Sequence, residues 1–193
     1  MQKLRERNLV EVIRSLTQPV LGICIGVQLL CRSSEEGDTA CIGIFDNRVR
    51  KFDTLFAEAG ILLPDATGTA ASLSDAGTCS ARQADVPADA AILRPAGRLK
   101  IPHMGWNSLH LNRPEDPLLA GVREGDFVYY VHSFYATGCG EALAASSDYG
   151  GVTVAGAVRR GSVCGTQFHP EKSGAVGLRI LRAFAMGEED AAC

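Results

Sequence analysis

The sequence predicts an α/β fold, an open and mostly parallel sheet flanked by helices, carried in one domain with a flexible insertion at about 53–98. Three observations predict it. PVLGIC (19–24) is a short, almost wholly apolar run of the kind found in a parallel strand buried on both faces. Directly after it, Ile25, Val27, Leu29, Leu30 and Cys31 suit a helix, so the order is strand, sharp turn, helix. At the other end, Ser173 is a plausible N-cap for a helix carrying Val176, Leu178, Ile180, Leu181 and Phe184.

The remaining elements follow along the chain. Leu4, Leu9, Val12, Ile13 and Leu16 form a helical stripe across 2–16 with Arg and Glu opposite, a surface helix ended by Thr17-Gln18-Pro19. A polar loop, Arg32 to Gly37, leads to CIGIFDNRVRKF (41–52), which resembles a pair of short strands. From Asp53 to Arg98, apart from FAEAGILL, the composition shifts to Ala, Gly, Ser, Thr, Asp and Pro with weak periodicity, and a stretch this long is uncommon within one fold unless it is an insertion. Ile101, Met104, Trp106, Leu109 and Leu111 fill a strand and the turn before it. FVYYVHSFYA (127–136) is a strand by its β-branched and aromatic content. GGVTVAGAV and SVCGTQF then form a hairpin about Arg159-Arg160-Gly161.

Composition narrows the function classes. A chain of 193 residues, 46% hydrophobic and 21% charged, is an ordinary globular composition. A net charge of −3 and the lack of a Lys/Arg cluster give no footprint for nucleic acid or anionic membrane. No window reaches the roughly 18 apolar residues of a membrane span, and the N-terminus lacks a secretory apolar core, so the expected location is cytoplasmic. Seven cysteines form an odd set with no CxxC pair or Cys/His spacing, which suggests neither a disulfide framework nor a zinc site, and no cofactor motif is present.

Chemistry concentrates in two places. In Gly22-Ile23-Cys24-Ile25-Gly26 a nucleophile lies between glycines at a strand-to-helix turn, the nucleophile-elbow pattern with cysteine in place of serine. Such a turn exposes the thiol, places the Ile25 N–H toward a developing oxyanion, and favours the thiolate through the free N–H groups at the helix start. A buried structural cysteine in a βα turn fits the same letters. In GTQFHPEKS (165–173), His169 and Glu171 are two apart and fall on one side of an extended segment, which Pro170 keeps from helix. The carboxylate can then orient the imidazole as a base; a strand-end histidine beside an unrelated glutamate is the bland counterpart. Both Cys24 and His169 stand at predicted strand ends, where active sites of open α/β sheets gather, and together they form nucleophile, base and orienter.

PVLGICIGVQLL with GTQFHPEKS is similar to the class I, triad-type glutamine amidotransferases. IPHMGWNSL with YYVHSFYA narrows the resemblance to the glutaminase subunits of imidazole glycerol phosphate synthase, over residues 1 to about 52 and about 100 to 186. The resemblance implies a glutaminase of histidine biosynthesis that releases ammonia through a cysteinyl thioester, with Cys24, His169 and Glu171 as the triad. It also implies that Gln28, Tyr129 and Ser133 line the glutamine pocket. His132, beside them in the same run, is expected to orient the strand end of Tyr129 and Ser133 without chemistry of its own. Met104, Trp106 and Asn107 would face or gate a partner, a cyclase subunit with a (β/α)₈ barrel that takes the ammonia to form imidazole glycerol phosphate and AICAR; for Trp106, the only tryptophan, a core anchor is the alternative to an interface. A dry passage would keep that ammonia from protonation in water.

The family pattern has an opening strand and a glycine-rich loop ahead of the first helix seen here, whereas this chain starts inside the helix. The expectation is therefore a fold lacking that strand and loop, with part of the oxyanion hole absent. Two alternatives stand beside the glutaminase: an N-terminally incomplete, non-catalytic scaffold that binds the cyclase, and the amidotransferase subunit of another synthase. A cysteine hydrolase of α/β-hydrolase type shares the elbow but accounts for neither PHMGWN nor HPEKS.

Overall fold

The computed structural model describes residues 1–60 and 99–187. The predicted first helix is split in two, α1 (Gln2–Glu6) and α2 (Leu9–Arg14), because Asn8 takes a left-handed φ of 55°. Strand β1 (Val20–Ile23) runs through Cys24 into α3 (Ile25–Leu30) in the predicted order, but it is only half-buried apart from Gly22, not buried on both faces, because it stands at the edge of its sheet among the described strands. The loop after α3 is not a strand over 41–47. Its N–H groups bond back to the end of α3, Ile42 to the Leu29 carbonyl and both Ile44 and Phe45 to that of Leu30, meeting carbonyls that a helix end leaves unpaired.

Two short strands precede that segment, β2 (Ser33–Ser34) and β3 (Thr39–Ala40), and β4 (Arg48–Lys51) and then α4 (Phe52–Glu58) follow it. Helix α4 corrects the near boundary of the predicted insertion: Phe52 and Phe56 are fully buried and bring this segment into the core. The rest of that stretch, 61–98, lies outside the described residues.

The second half is built of β5 (His103–Ser108), β6 (His110–Leu111), β7 (Phe127–His132), β8 (Phe134–Thr137), β9 (Leu143–Tyr149), β10 (Val152–Arg160), β11 (Val163–Thr166) and α5 (Gly174–Met186). The single strand predicted over 127–136 is broken at Ser133. Its first half pairs with β5 and its second with β4, so one continuous apolar run serves two sheets.

The strands form a five-stranded sheet in the order β1-β11-β10-β9-β6, a four-stranded sheet β3-β2-β4-β8, and the pair β5-β7. Helices flank the sheets, as expected, but the sheets are mixed rather than mostly parallel: among the described strands only β1 with β11 and β2 with β4 run parallel. The physical reason lies in the connections. The short turns at Gly150-Gly151 and Gly161-Ser162 leave no room for a crossover, so β9, β10 and β11 must pair antiparallel.

One core cluster joins Phe52, Phe56, Val128, Tyr130, Tyr135, Phe168 and Ile180, and a second gathers Val27, Leu30, Ile42, Phe45 and Val49 about α3. Two glycines let α3 settle on its sheet. A β-carbon on Gly165 of β11 would stand 2.2 Å from Val27 Cγ2, and one on Gly22 would stand 2.7 Å from the Gly26 carbonyl carbon. The five described cysteines are all free thiols. No described helix is long and apolar enough to cross a membrane.

Candidate active site

Strands β1 and β11 are parallel neighbours with Ile23 opposite Thr166, so both run out at the same edge of the sheet. Cys24 follows β1 directly, and its N–H donates to the Thr166 carbonyl at 2.8 Å. Its backbone takes φ 51° and ψ −107°, a left-handed φ that costs a non-glycine residue about 1–3 kcal/mol and is held only where surrounding structure demands it. The predicted elbow is thus present as strained geometry. Gly22 is needed for it, being packed against α3; Gly26 is not, since a β-carbon there would meet nothing within 4 Å.

Three residues beyond β11, the His169 N–H donates to the Tyr129 carbonyl at 2.9 Å, and the Ser173 hydroxyl donates to the His169 carbonyl at 2.7 Å. The same hydroxyl accepts from the Tyr129 N–H at 3.0 Å. Ser173 therefore does not cap α5 with its side chain as predicted; it clamps the His169 segment to β7. His169 Nδ1 lies 2.7 Å from Glu171 Oε1. With Nδ1 so bonded, the ring's other nitrogen, Nε2, is buried and has no hydrogen-bond partner, the condition of a base held ready for a proton.

The Cys24 thiol faces the Val131 carbonyl at 3.9 Å and the Gln167 amide nitrogen at 3.8 Å. Burial pushes its pKa up; the Ile25 N–H opposes this, Glu171 adds to it, and Lys172 pulls it down. Burial likewise raises the Glu171 carboxyl, but the hydrogen bond from His169 and the charges of His169 and Lys172 outweigh it and hold the group below its ordinary value. No metal-ligand cluster of three or more His, Cys, Asp or Glu occurs among the described residues.

The other predicted site residues divide. Tyr129 stands opposite Trp106 in the β5–β7 register, their rings 5.9 Å apart, and Ser133 marks the break between β7 and β8. Met104 and Trp106 are both more than half exposed on one face of β5. Asn107, at the alternate position, turns the other way: its amide donates to the Asp148 carbonyl at 2.8 Å. Gln28 is buried, and its amide nitrogen donates to the Phe134 carbonyl at 2.8 Å and to Gln167 Oε1 at 3.0 Å. His132 bonds to His103 at 2.9 Å and to the Phe134 carbonyl at 2.9 Å, which stiffens the bend about Ser133.

Gln167, Ser173 and His103 belong to this neighbourhood, and sequence reasoning missed the role of each. The one available signal was a glutamine inside the apolar run VCGTQF, where a buried amide requires partners.

Residues 4–187 match the family model "Glutamine amidotransferase class-I". The chain is 39% identical over 188 residues to the imidazole glycerol phosphate synthase subunit HisH of Synechococcus sp. (strain JA-3-3Ab), covering 95% of this chain and 68% of that protein. It is 40% identical over 192 residues to the subunit of the same name from Methylococcus capsulatus, covering 97% and 72%. Among solved structures, a Thermoplasma acidophilum protein described as a GMP synthase subunit superposes with a TM-score of 0.51 at 18% identity, over 91% of this chain and 60% of that one, a likeness of fold.

Proposed function

The chain belongs to the class-I glutamine amidotransferases, and within them to the HisH subunits of imidazole glycerol phosphate synthase, and on that premise we propose that it is the glutaminase of that synthase, with Cys24, His169 and Glu171 as its triad. The observation that carries the site assignment is the strained Cys24 elbow at the same sheet edge as a histidine already oriented by a carboxylate.

Cys24 Sγ attacks the side-chain carbonyl of glutamine while its proton passes to His169 Nε2. Glu171, bonded to Nδ1, keeps the ring in the tautomer that can accept there and stabilises the imidazolium. The carbonyl oxygen becomes an oxyanion facing the Ile25 N–H. As the tetrahedral adduct collapses, the C–N bond breaks, His169 returns its proton to the leaving nitrogen, and ammonia departs from a glutamyl thioester. Water, deprotonated by His169, then attacks the thioester; glutamate leaves and the proton returns to sulfur. The net reaction is glutamine plus water to glutamate plus ammonia.

Tyr129 and Ser133 line the glutamine pocket beside the elbow. Gln28 joins them through Oε1, the atom its internal hydrogen bonds leave over. The exposed Met104 and Trp106 form the surface toward a cyclase subunit with a (β/α)₈ barrel, which receives ammonia and forms imidazole glycerol phosphate and AICAR in the cytoplasm. Asn107 supports that surface by tying β5 to β9.

Glutamate release from glutamine, measured with and without the cyclase and its nucleotide ligand, tests this reading. Partner-dependent release in the parent chain and its loss in Cys24→Ala are expected. Release that survives Cys24→Ala would overturn the triad, and binding of the cyclase without release would instead favour a non-catalytic scaffold.

A further inference from the structure

We infer that Gln167 is a further catalytic residue of this site, presenting an amide N–H to the Cys24 sulfur, and that Gln28 is the positioning residue that forces it to do so. The inference rests on the proposed glutaminase reading for its catalytic meaning, and on hydrogen-bond directions for its substance.

The direction of each bond is settled by a backbone carbonyl. Phe134 O can only accept, so the Gln28 side-chain atom 2.8 Å from it must be the nitrogen, Nε2. A second hydrogen on that nitrogen points to the Gln167 side chain at 3.0 Å, so the facing Gln167 atom must be its acceptor, Oε1. An amide with its oxygen turned to Gln28 has its nitrogen turned the other way, and that nitrogen is 3.8 Å from Cys24 Sγ. Were Gln167 to flip, two amide nitrogens would face each other and an oxygen would face the sulfur. Gln167 is 1% exposed and Gln28 6%, so water does not compete for these groups. The Gln167 backbone is pinned as well, its N–H donating to the Gly156 carbonyl at 2.8 Å.

Beside the Ile25 N–H, which favours the thiolate, the sulfur has one further neighbour that suits the thiol and one that suits the thiolate. Val131 O, at 3.9 Å, can accept from S–H but only repels S⁻. The Gln167 N–H is a donor, and its bond strengthens when the acceptor is charged. Gln167 thus offsets part of the cost of ionising a half-buried thiol, and because Gln28 sets its orientation beforehand, no reorganisation is needed as the charge appears.

The test follows alkylation of Cys24 by iodoacetamide across pH, resolved by mass spectrometry of the Cys24 peptide, in the parent chain, Gln167→Met, Gln28→Met and the double variant. Methionine keeps the length of the side chain and removes the amide. In Gln167→Met the midpoint of the profile is expected to rise by about one pH unit, with alkylation near neutral pH about tenfold slower. Gln28→Met is expected to move it in the same direction by less, and the double variant no further than Gln167→Met. Midpoints that stay with the parent overturn the inference; if Gln167→Met does not fold, the Gln28→Met profile decides alone. Glutamate release on the same samples separates the two readings. A shifted profile without release in the parent upholds the Gln167 contact and removes the glutaminase assignment, whereas release with an unshifted profile does the reverse.

Discussion

A β-carbon on Gly177 would stand 1.8 Å from the carbonyl oxygen of Pro170. The first turn of α5 thus lies directly on the His169-Pro170-Glu171 segment, and any side chain at 177 must push that backbone away. Gly177→Ala is expected to cost about 1–3 kcal/mol of stability, as overpacking does, and to lower glutamate release further than that loss explains. A urea melt together with an assay well below the unfolding range separates the two effects.

The two glycines of the elbow respond differently. Gly22→Ala forces a methyl into the Gly26 backbone and the Leu30 side chain, whereas Gly26→Ala meets open space in a helix. Thermal melts should show Gly22→Ala clearly destabilised and Gly26→Ala unchanged or more stable by up to about 1 kcal/mol, the helix-propensity difference. Equal destabilisation would mean that the helix does not approach the strand as described.

Acid should weaken the fold through the His103–His132 pair. Burial, with the neighbouring His132, holds the His103 pKa down at about 3; burial, against the opposing Phe134 carbonyl, holds His132 at about 4. In the unfolded chain both titrate near the ordinary value of about 6.5, so the unfolded state binds more protons between these limits. The stability is full above about 6.5 and falls as pH drops from there toward 4. The midpoint of urea unfolding is therefore expected to be lower at pH 5 than at pH 7, with a smaller difference in His103→Phe, which keeps the stacking on Tyr130 and Tyr149. The lowered carboxylates, Glu35, Glu124 and Glu171 among them, lose their contribution below about pH 5, outside the comparison of pH 5 with pH 7.

Alternation along β5 separates docking from folding. Trp106, 56% exposed, contributes little to the isolated chain, while Asn107 bonds across to β9. Trp106→Ala should leave the melting midpoint nearly unchanged and weaken binding to the cyclase at least about tenfold, a hot-spot loss. Asn107→Ala should instead lower stability by about 1–2 kcal/mol. Calorimetric titration with the cyclase, paired with a thermal melt, checks both.

From the sequence alone came what depends on near neighbours. The strand, turn and helix around Cys24 were legible because apolar spacing and glycine act within a few residues, and the pairing of His169 with Glu171 because they stand only two apart; the segment is not extended as predicted, since Pro170 opens a 3-10 turn (Pro170–Lys172) that carries Glu171 back to the imidazole. The α/β class and the hairpin about Gly161 were legible for the same reason. Tertiary structure decided what depends on pairing partners. A strand pattern does not state direction, so the mixed sheets emerged only from the connections; an unbroken apolar run does not reveal that its halves join different sheets at Ser133. Composition made Asp53 to Glu58 look like part of an insertion, yet burial of two phenylalanines in the core governs that helix. Least legible was the link from Phe134 through Gln28 and Gln167 to Cys24. A buried amide has to find its partners wherever the fold brings them, and no local pattern records where that will be.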